Sequence, residues 1–390
     1  MTFSPQVFFV SVHQHPMAGI YIHMPFCKSR CIYCDFFSTT LLSRREEYIS
    51  ALCKEISQQR NYLGGEKIQT IYFGGGTPSQ LSTEQIATVI HAIEHTFPLA
   101  ESPEVTIELN PEDVTEDYAH RLKQMPINRV SLGIQSFDDR ILQFIHRRHN
   151  SAKAIEAVRT LQDAGFTNIS IDLMFGFPQQ TLDGWTKDIE TAINLNTQHI
   201  SAYSLMYEEG TQLYKLLESN KIKEIDDDLS LQMYQTLTRL LREHGYTHYE
   251  ISNFALPGYE SRHNSSYWNS TPYLGIGAGA HSFNGTSRQW NVYDLQQYIE
   301  GVNSGKPVRE TEVLTVDQQF NETVMTRLRT AKGLDLDYVN RQFGQTYIQH
   351  LEQAATPYYN NRELEKDRNT MRLTEQGIYI SNDIISSLFV

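Results

Sequence analysis

Short runs rich in β-branched and aromatic residues alternate with segments whose apolar residues fall three and four apart. The runs are GIYIHMPF, IQTIYFGGG, VTIELNP, NRVSLGIQSF, NISIDLMFGFP and HISAYSLMY. Between them lie RREEYISALCKEISQQ, STEQIATVIHAIEHTF, TEDYAHRLKQM, SAKAIEAVRTLQDAGF and LDGWTKDIETAINLN. A three- and four-residue step keeps apolar side chains on one helix face, so each of these segments predicts a helix with one buried stripe. Ser82 and Gln85 have capping-box spacing at the second helix, and Gly165 stands where a left-handed residue would end the fourth. Parallel strands need a crossover connection, so six runs with helical crossovers predict a parallel α/β sheet. A partial barrel and a doubly wound open sheet both fit this period. In either, functional residues collect at the carboxyl ends of the strands. MPFC, GGGTP, ELNPE, QSF and FGFPQQT, the unusual segments, lie at those ends.

After Tyr207 the pattern changes. A helix (SLQMYQTLTRLLREHG) and a short strand (HYEIS) precede a loop-rich stretch dense in aromatics and glycine. From about residue 305 a smaller unit begins: helix, turn, helix, then MRLTEQGIYISNDIISSLF, a strand turning into a helix, somewhat like a winged helix. Such folds often bind DNA, but acidic residues outnumber basic ones here, which favours packing or partner docking. The expected division is an N-terminal extension over 1–16 ahead of a natural start at Met17, a core domain over 17–300, and a mainly helical C-terminal domain over 301–390.

The composition is globular, with 40% hydrophobic and 20% charged residues in a chain of 390. A net charge of -13 makes nucleic acid a poor partner. QVFFVSV near the N-terminus is too short to span a bilayer and lacks the lead of a signal peptide, which predicts a cytoplasmic protein. Four cysteines in this length do not make a disulfide framework. Three of them, Cys27, Cys31 and Cys34, have the spacing C-x3-C-x2-C on the loop after the first strand. Three thiolates suit iron and leave the fourth iron of a cubane open to a small molecule. Structural zinc would want four ligands; no second cysteine pair follows, and His23 lies upstream inside the strand pattern. Cys53 shares a helical stripe with Ile49, Leu52 and Ile56 and reads as a buried, inert thiol.

C-x3-C-x-aromatic-C after a first strand resembles the signature of radical S-adenosylmethionine (SAM) enzymes. The resemblance extends through GIYIHMPFC, IYFGGGTPS, IELNPE, SLGIQSF, HRRH and IDLMFGFPQQT, in the family's order. It implies a partial (β/α)6 barrel, a 4Fe-4S cluster on Cys27, Cys31 and Cys34, and SAM on the fourth iron. By the same resemblance Tyr33 packs near the adenine, while Gly75, Gly76 and Thr77 hold the SAM amino group. Tyr21, Glu108, Gln135, Arg147 and Asp172 match further SAM contacts. The planar fork of Arg147 suits the methionine carboxylate. An acid inside an apolar strand, such as Asp172, is costly to bury without a partner.

IHMPFC, GGGTPS, the QSF segment and the C-terminal unit are similar to oxygen-independent coproporphyrinogen III oxidases and their relatives. The oxidase pattern carries a further cysteine two places after the third cluster cysteine, where this chain has Phe36. It also has a longer N-terminal segment. The HemW-type heme chaperones carry Phe there and a His-Asn-x-x-Tyr-Trp motif, matched by His263, Asn264, Tyr267 and Trp268. Neutral imidazole ligates heme iron, so the expected ligand is His263, with Asn264 orienting its ring, Tyr267 and Trp268 facing the macrocycle, and His281 as a second candidate. The resemblance implies delivery of heme to respiratory proteins, transient association with the membrane face, and dimerisation. The rival readings are coproporphyrinogen III oxidation and a radical SAM reaction on another substrate.

Overall fold

The computed structural model describes residues 17–390. The expected extension over 1–16, with its QVFFVSV segment, lies outside the described residues.

Six strands, β1 (Met17–Met24), β2 (Lys67–Gly75), β3 (Leu99–Leu109), β4 (Arg129–Gln135), β5 (Ile169–Phe175) and β6 (His199–Ser204), pair in parallel and in sequence order. A doubly wound sheet reverses its strand order at a switch point. No reversal occurs from β1 to β6, so the two architectures that fitted the sequence resolve in favour of the partial barrel. The crossovers carry α1 (Arg45–Gln58), α2 (Thr83–Thr96), α3 (Glu116–Lys123), α4 (Asp139–Phe144), α5 (Ser151–Asp163) and α6 (Leu182–Asn194). The Ser82–Gln85 capping box is present at α2, and Gly165 adopts φ +91° just past α5. Of these crossover helices α4 escaped the sequence reading; its 6 residues are too few to show a helical period.

Side chains alternate across each strand. Ile20, Ile22, Phe73, Ile107, Leu132 and Ile171 point outward into one continuous core beneath the helices. The opposite, inner face carries Tyr21, Tyr72, Glu108, Ser131, Asp172 and Ser201, and it is polar and half-buried.

The sheet continues at both edges to twelve strands. β7 (Thr247–Glu250) and β8 (Asn253–Ala255) pair antiparallel beyond β6. On the other side β9 (Tyr273–Ile276) runs parallel to β1, followed by the antiparallel strands β10 (His281–Phe283), β11 (Ser287–Asn291) and β12 (Arg309–Val313). Among these edge strands the sequence had shown HYEIS alone. Helices α7 (Gln212–Glu218), α8 (Asp227–Glu243), α9 (Arg262–Trp268) and α10 (Leu295–Ser304) fill the connections. Beyond the sheet a second core forms around Phe320, Val324, Leu336, Leu351, Met371 and Ile384. It belongs to helices at Val316–Leu328, Leu336–Phe343 and Gln345–Asn360, a small antiparallel sheet, and two short helices ending at Ser387. No helix among the described residues is long and apolar enough to cross a membrane.

Candidate functional site

The cysteine loop leaves β1 and returns beside it. Cys27 N–H donates to the Thr39 carbonyl at 2.9 Å and Thr39 N–H to the Pro25 carbonyl at 2.7 Å, closing the neck of the loop. Ile32, between the second and third cysteines, packs with Ile145, Met174, Phe177, Leu205 and Leu213 in a small apolar cluster at the strand ends. His23 bonds the Phe37 carbonyl through Nε2 at 2.9 Å, and its Nδ1 accepts from the Tyr21 hydroxyl at 3.2 Å. Both its nitrogens are used, so His23 ties the loop to β1 and does not serve as a fourth ligand.

All four cysteines are free thiols, with Cys27 buried and Cys31 and Cys34 half-buried. Burial raises the Cys27 thiol, partly offset by a hydrogen bond with Thr77 at 3.3 Å. Burial pushes Cys34 up to about 11, and each of the two also feels the charge of Cys31. No three metal-ligating side chains meet as they would around a single ion, among the described residues. A cubane spreads its protein ligands over separate irons, so three thiols on one anchored loop still match its donor set. Cys53, expected to be buried, is half-buried on α1 and packs against the core.

The residues expected to hold SAM surround this loop. Gly75 has φ +107°, and a Cβ there would lie 2.5 Å from the His23 ring; only glycine fits without a shift. Gly76 N–H donates to the Met24 carbonyl at 2.8 Å, which sets the turn beside Cys27. Arg147 lies against Cys31 (Nη1 to Sγ 3.6 Å), Asn110 Oδ1 at 2.8 Å and the Gly133 carbonyl, while its Nε is buried without a partner. Gln135 sits at a β-bulge with φ +73°, a backbone region that marks functional strain when a non-glycine residue holds it. Tyr33 packs at the edge of the apolar cluster around Ile32.

Glu108 and Asp172 are half-buried on the inner face, where Glu108 also accepts from the Gly75 N–H and Asp172 from the Ser201 hydroxyl. Tyr72 donates to Glu108 at 2.7 Å and Ser131 to Asp172 at 3.2 Å. Burial pushes Glu108 up to about 7, opposed by the Tyr72 bond and reinforced by Asp172. Burial also raises Asp172. A cationic ligand between them would favour both carboxylates, which fits the amino and sulfonium charges of SAM.

At the other end of the inner face lies α9. The Glu104 carboxylate accepts from Arg262 N–H at 3.0 Å and His263 N–H at 2.9 Å, satisfying the first turn of the helix. His263 is 1% exposed. Its Nδ1 bonds Thr70 Oγ1 at 2.7 Å, its Nε2 bonds the Tyr267 hydroxyl at 2.9 Å, and its ring stacks on Tyr72 at 5.0 Å. Burial, with the nearby Arg129 charge, drops it to about 3, so the imidazole is neutral. In this conformation both ring nitrogens of His263, the expected heme ligand, are engaged by protein hydroxyls. Thr70 and Tyr267, not Asn264, fix its ring. Tyr267 and Trp268 line a cavity of about 300 Å³ with Tyr273, Phe283, Arg288 and Glu322, and the buried Trp268 Nε1 has no partner. A larger cleft of about 870 Å³ between α8 and Glu375–Tyr379 contains none of the expected residues.

Sequence reasoning missed Asn110, which bonds Arg147 and reaches Thr77 Oγ1 at 3.4 Å, although it stands inside the quoted ELNPE. It also missed Glu104, Thr70 and Arg129. Their signal was a polar residue at every second strand position, which reads equally well as a solvated face.

Residues 21–192 match the radical SAM superfamily, and residues 314–380 match the HemN C-terminal domain. A heme chaperone HemW of Lactococcus lactis is 33% identical over 95% of this chain and 97% of its own length. One of Bacillus subtilis is 33% identical over 95% of this chain and 99% of its own. The structure of coproporphyrinogen III oxidase (HemN) from Escherichia coli, a radical SAM enzyme, superposes with a TM-score of 0.83, covering 98% of this chain and 92% of that one, at 21% identity, a likeness of fold. With the cysteine loop, the inner-face carboxylates and the His-Asn-x-x-Tyr-Trp helix on one scaffold, the chain belongs to the HemW heme chaperone family of the radical SAM superfamily.

Proposed function

We propose that this chain is a cytoplasmic heme carrier that holds a 4Fe-4S cluster and SAM and passes heme to respiratory proteins. The observation that carries the reading is one continuous inner face. It runs from the cysteine loop past Glu108 and Tyr21 to the aromatic cavity that α9 shares with β9 to β11. Cys27, Cys31 and Cys34 hold the cluster. Gly75, Gly76 and Thr77 approach SAM with backbone and hydroxyl groups, Glu108 and Asp172 meet its cationic groups, and Arg147 meets its carboxylate. Gln135, Tyr21 and Tyr33 complete the pocket walls. When bound and reduced, the cluster and SAM supply radical chemistry. The heme rests where Tyr267 and Trp268 meet the β9–β11 edge, and His263 and Asn264 build the helix beneath them. Transient contact with the membrane face and pairing of two chains near their cysteine loops complete the proposal.

The oxidase reading draws on the shared fold. Against it stands Phe36, which is 61% exposed at the place of the extra cysteine and carries no thiol chemistry. The test is anaerobic: reconstituted protein receives coproporphyrinogen III, SAM and reductant, and decarboxylated product and 5′-deoxyadenosine are counted. The carrier reading expects no sustained decarboxylation. Multiple product turnovers would make the chain an oxidase.

A further inference from the structure

We infer that the amino-terminal end of the barrel holds an anion site, centred on Arg129 and Thr106, that takes a carboxylate group. Arg129 begins β4, and Thr106 lies directly opposite it on β3. Ser131 and Glu108, two positions further along these strands, stand on the inner face. Alternation therefore points Arg129 and Thr106 into the barrel as well. Arg129 is 2% exposed and Thr106 is fully buried. Buried polar groups are nearly all hydrogen-bonded, and a buried charge is costly without a partner. Yet Arg129 Nε and Thr106 Oγ1 are both buried with no partner, and the guanidinium forms no ion pair among the described residues.

The groups around Arg129 do not answer its charge. Glu104, one side-chain repeat before Thr106, gives both carboxylate oxygens to the first N–H groups of α9. Glu108 and Asp172 feel the Arg129 charge, but they stand nearer the carboxyl ends of their strands, where they meet the cationic groups of SAM. His199 and His263 are buried, and each spends both ring nitrogens on hydroxyls: Ser170 and Tyr249 for the first, Thr70 and Tyr267 for the second. Burial first and the Arg129 charge second hold both imidazoles neutral. Arg129 is thus a cation at the floor of the lumen, with a hydroxyl donor beside it. A planar guanidinium and an adjacent hydroxyl match the two oxygens of a carboxylate. The lumen above gives access: Tyr21 and Tyr72 are half-buried, and Tyr203, on the same face of β6, is 43% exposed. The carboxylate comes from a propionate of the heme cargo or from a free carboxylate in solution. The first source rests on the heme-carrying function proposed above; the site itself does not.

Sodium formate and hemin are titrated separately into the full chain and its Arg129→Met and Arg129→Lys variants, with melting temperature and Soret absorbance as readouts. Hemin dimethyl ester, whose propionates carry no charge, is titrated beside hemin. A free carboxylate as ligand predicts that formate raises the melting temperature of the wild type more than that of Arg129→Met; general salt effects act on both alike. A propionate as ligand predicts that the wild type binds hemin at least about tenfold more tightly than the ester, while Arg129→Met binds the two alike. Arg129→Lys keeps the charge without the planar fork and should fall between, which carries the test if the methionine variant does not fold. Equal formate responses in wild type and variants, with a hemin-to-ester ratio that does not depend on residue 129, would overturn the site and leave the guanidinium to ordered water. If the wild type takes up no hemin saturably, the heme-carrying reading falls and the formate arm alone decides the anion site.

Discussion

Glu108 is an acid whose charge is set by its surroundings. Burial holds its carboxyl at about 7, so below that pH it is mostly protonated and cannot pair with a cation. SAM affinity should therefore rise with pH by up to about tenfold per unit below 7 and level off above it. Glu108→Gln should bind SAM weakly with a flat profile, measured by calorimetry from pH 6 to 8. Equal pH slopes in the two proteins would remove Glu108 from the pocket. The thiols make a second test. Alanine at Cys27, Cys31 or Cys34 should abolish iron incorporation and the broad visible absorption of the cluster. Cys53→Ala should leave both intact, as iron analysis of reconstituted protein would show. The three cysteines were legible because their spacing is local to one loop. The state of His263 was not, since Thr70, Glu104 and Tyr72 reach it from more than 150 residues away in the chain.

Strands β1 to β6 and their long helices could be read from period alone, because each has enough residues to repeat its pattern. Which side of each strand carries function could not. Alternation usually marks a core face and a wet face. Here the polar side is enclosed, and closure of the curved sheet with α9 across its inner face is a long-range fact that no single strand encodes. The edge strands β8 to β11, of 3 to 5 residues, are shorter than any window that shows a period of two. The turn after β2 depends on one glycine. Gly75→Ala must place a Cβ against the His23 ring at φ +107°, and should cost about 1–3 kcal/mol of stability. The same change should weaken SAM binding. An unchanged melting temperature by circular dichroism would show that the turn tolerates a side chain.

The described residues build two large cores, one beneath the barrel helices and one in the C-terminal unit. They meet at the motif helix, where Arg327 donates to the Asn269 carbonyl at 3.1 Å just past α9. Truncating the fully buried Phe320 to alanine should cost about 3–5 kcal/mol. Hydrogen exchange should then rise across 316–388 while β1 to β6 stay protected; uniform loss of protection would mean a single cooperative unit. The same truncation should loosen the cavity wall at Glu322 and Thr326 and so weaken heme binding. Heme uptake is the property that the proposed function asks of the cysteine loop, the polar inner face and the aromatic edge together. The most direct test is an absorbance titration of the cluster-loaded wild-type chain with hemin. Saturation at one heme per chain, with a protein-bound Soret band, is the predicted result. A linear, unsaturated rise matching free hemin would contradict the account.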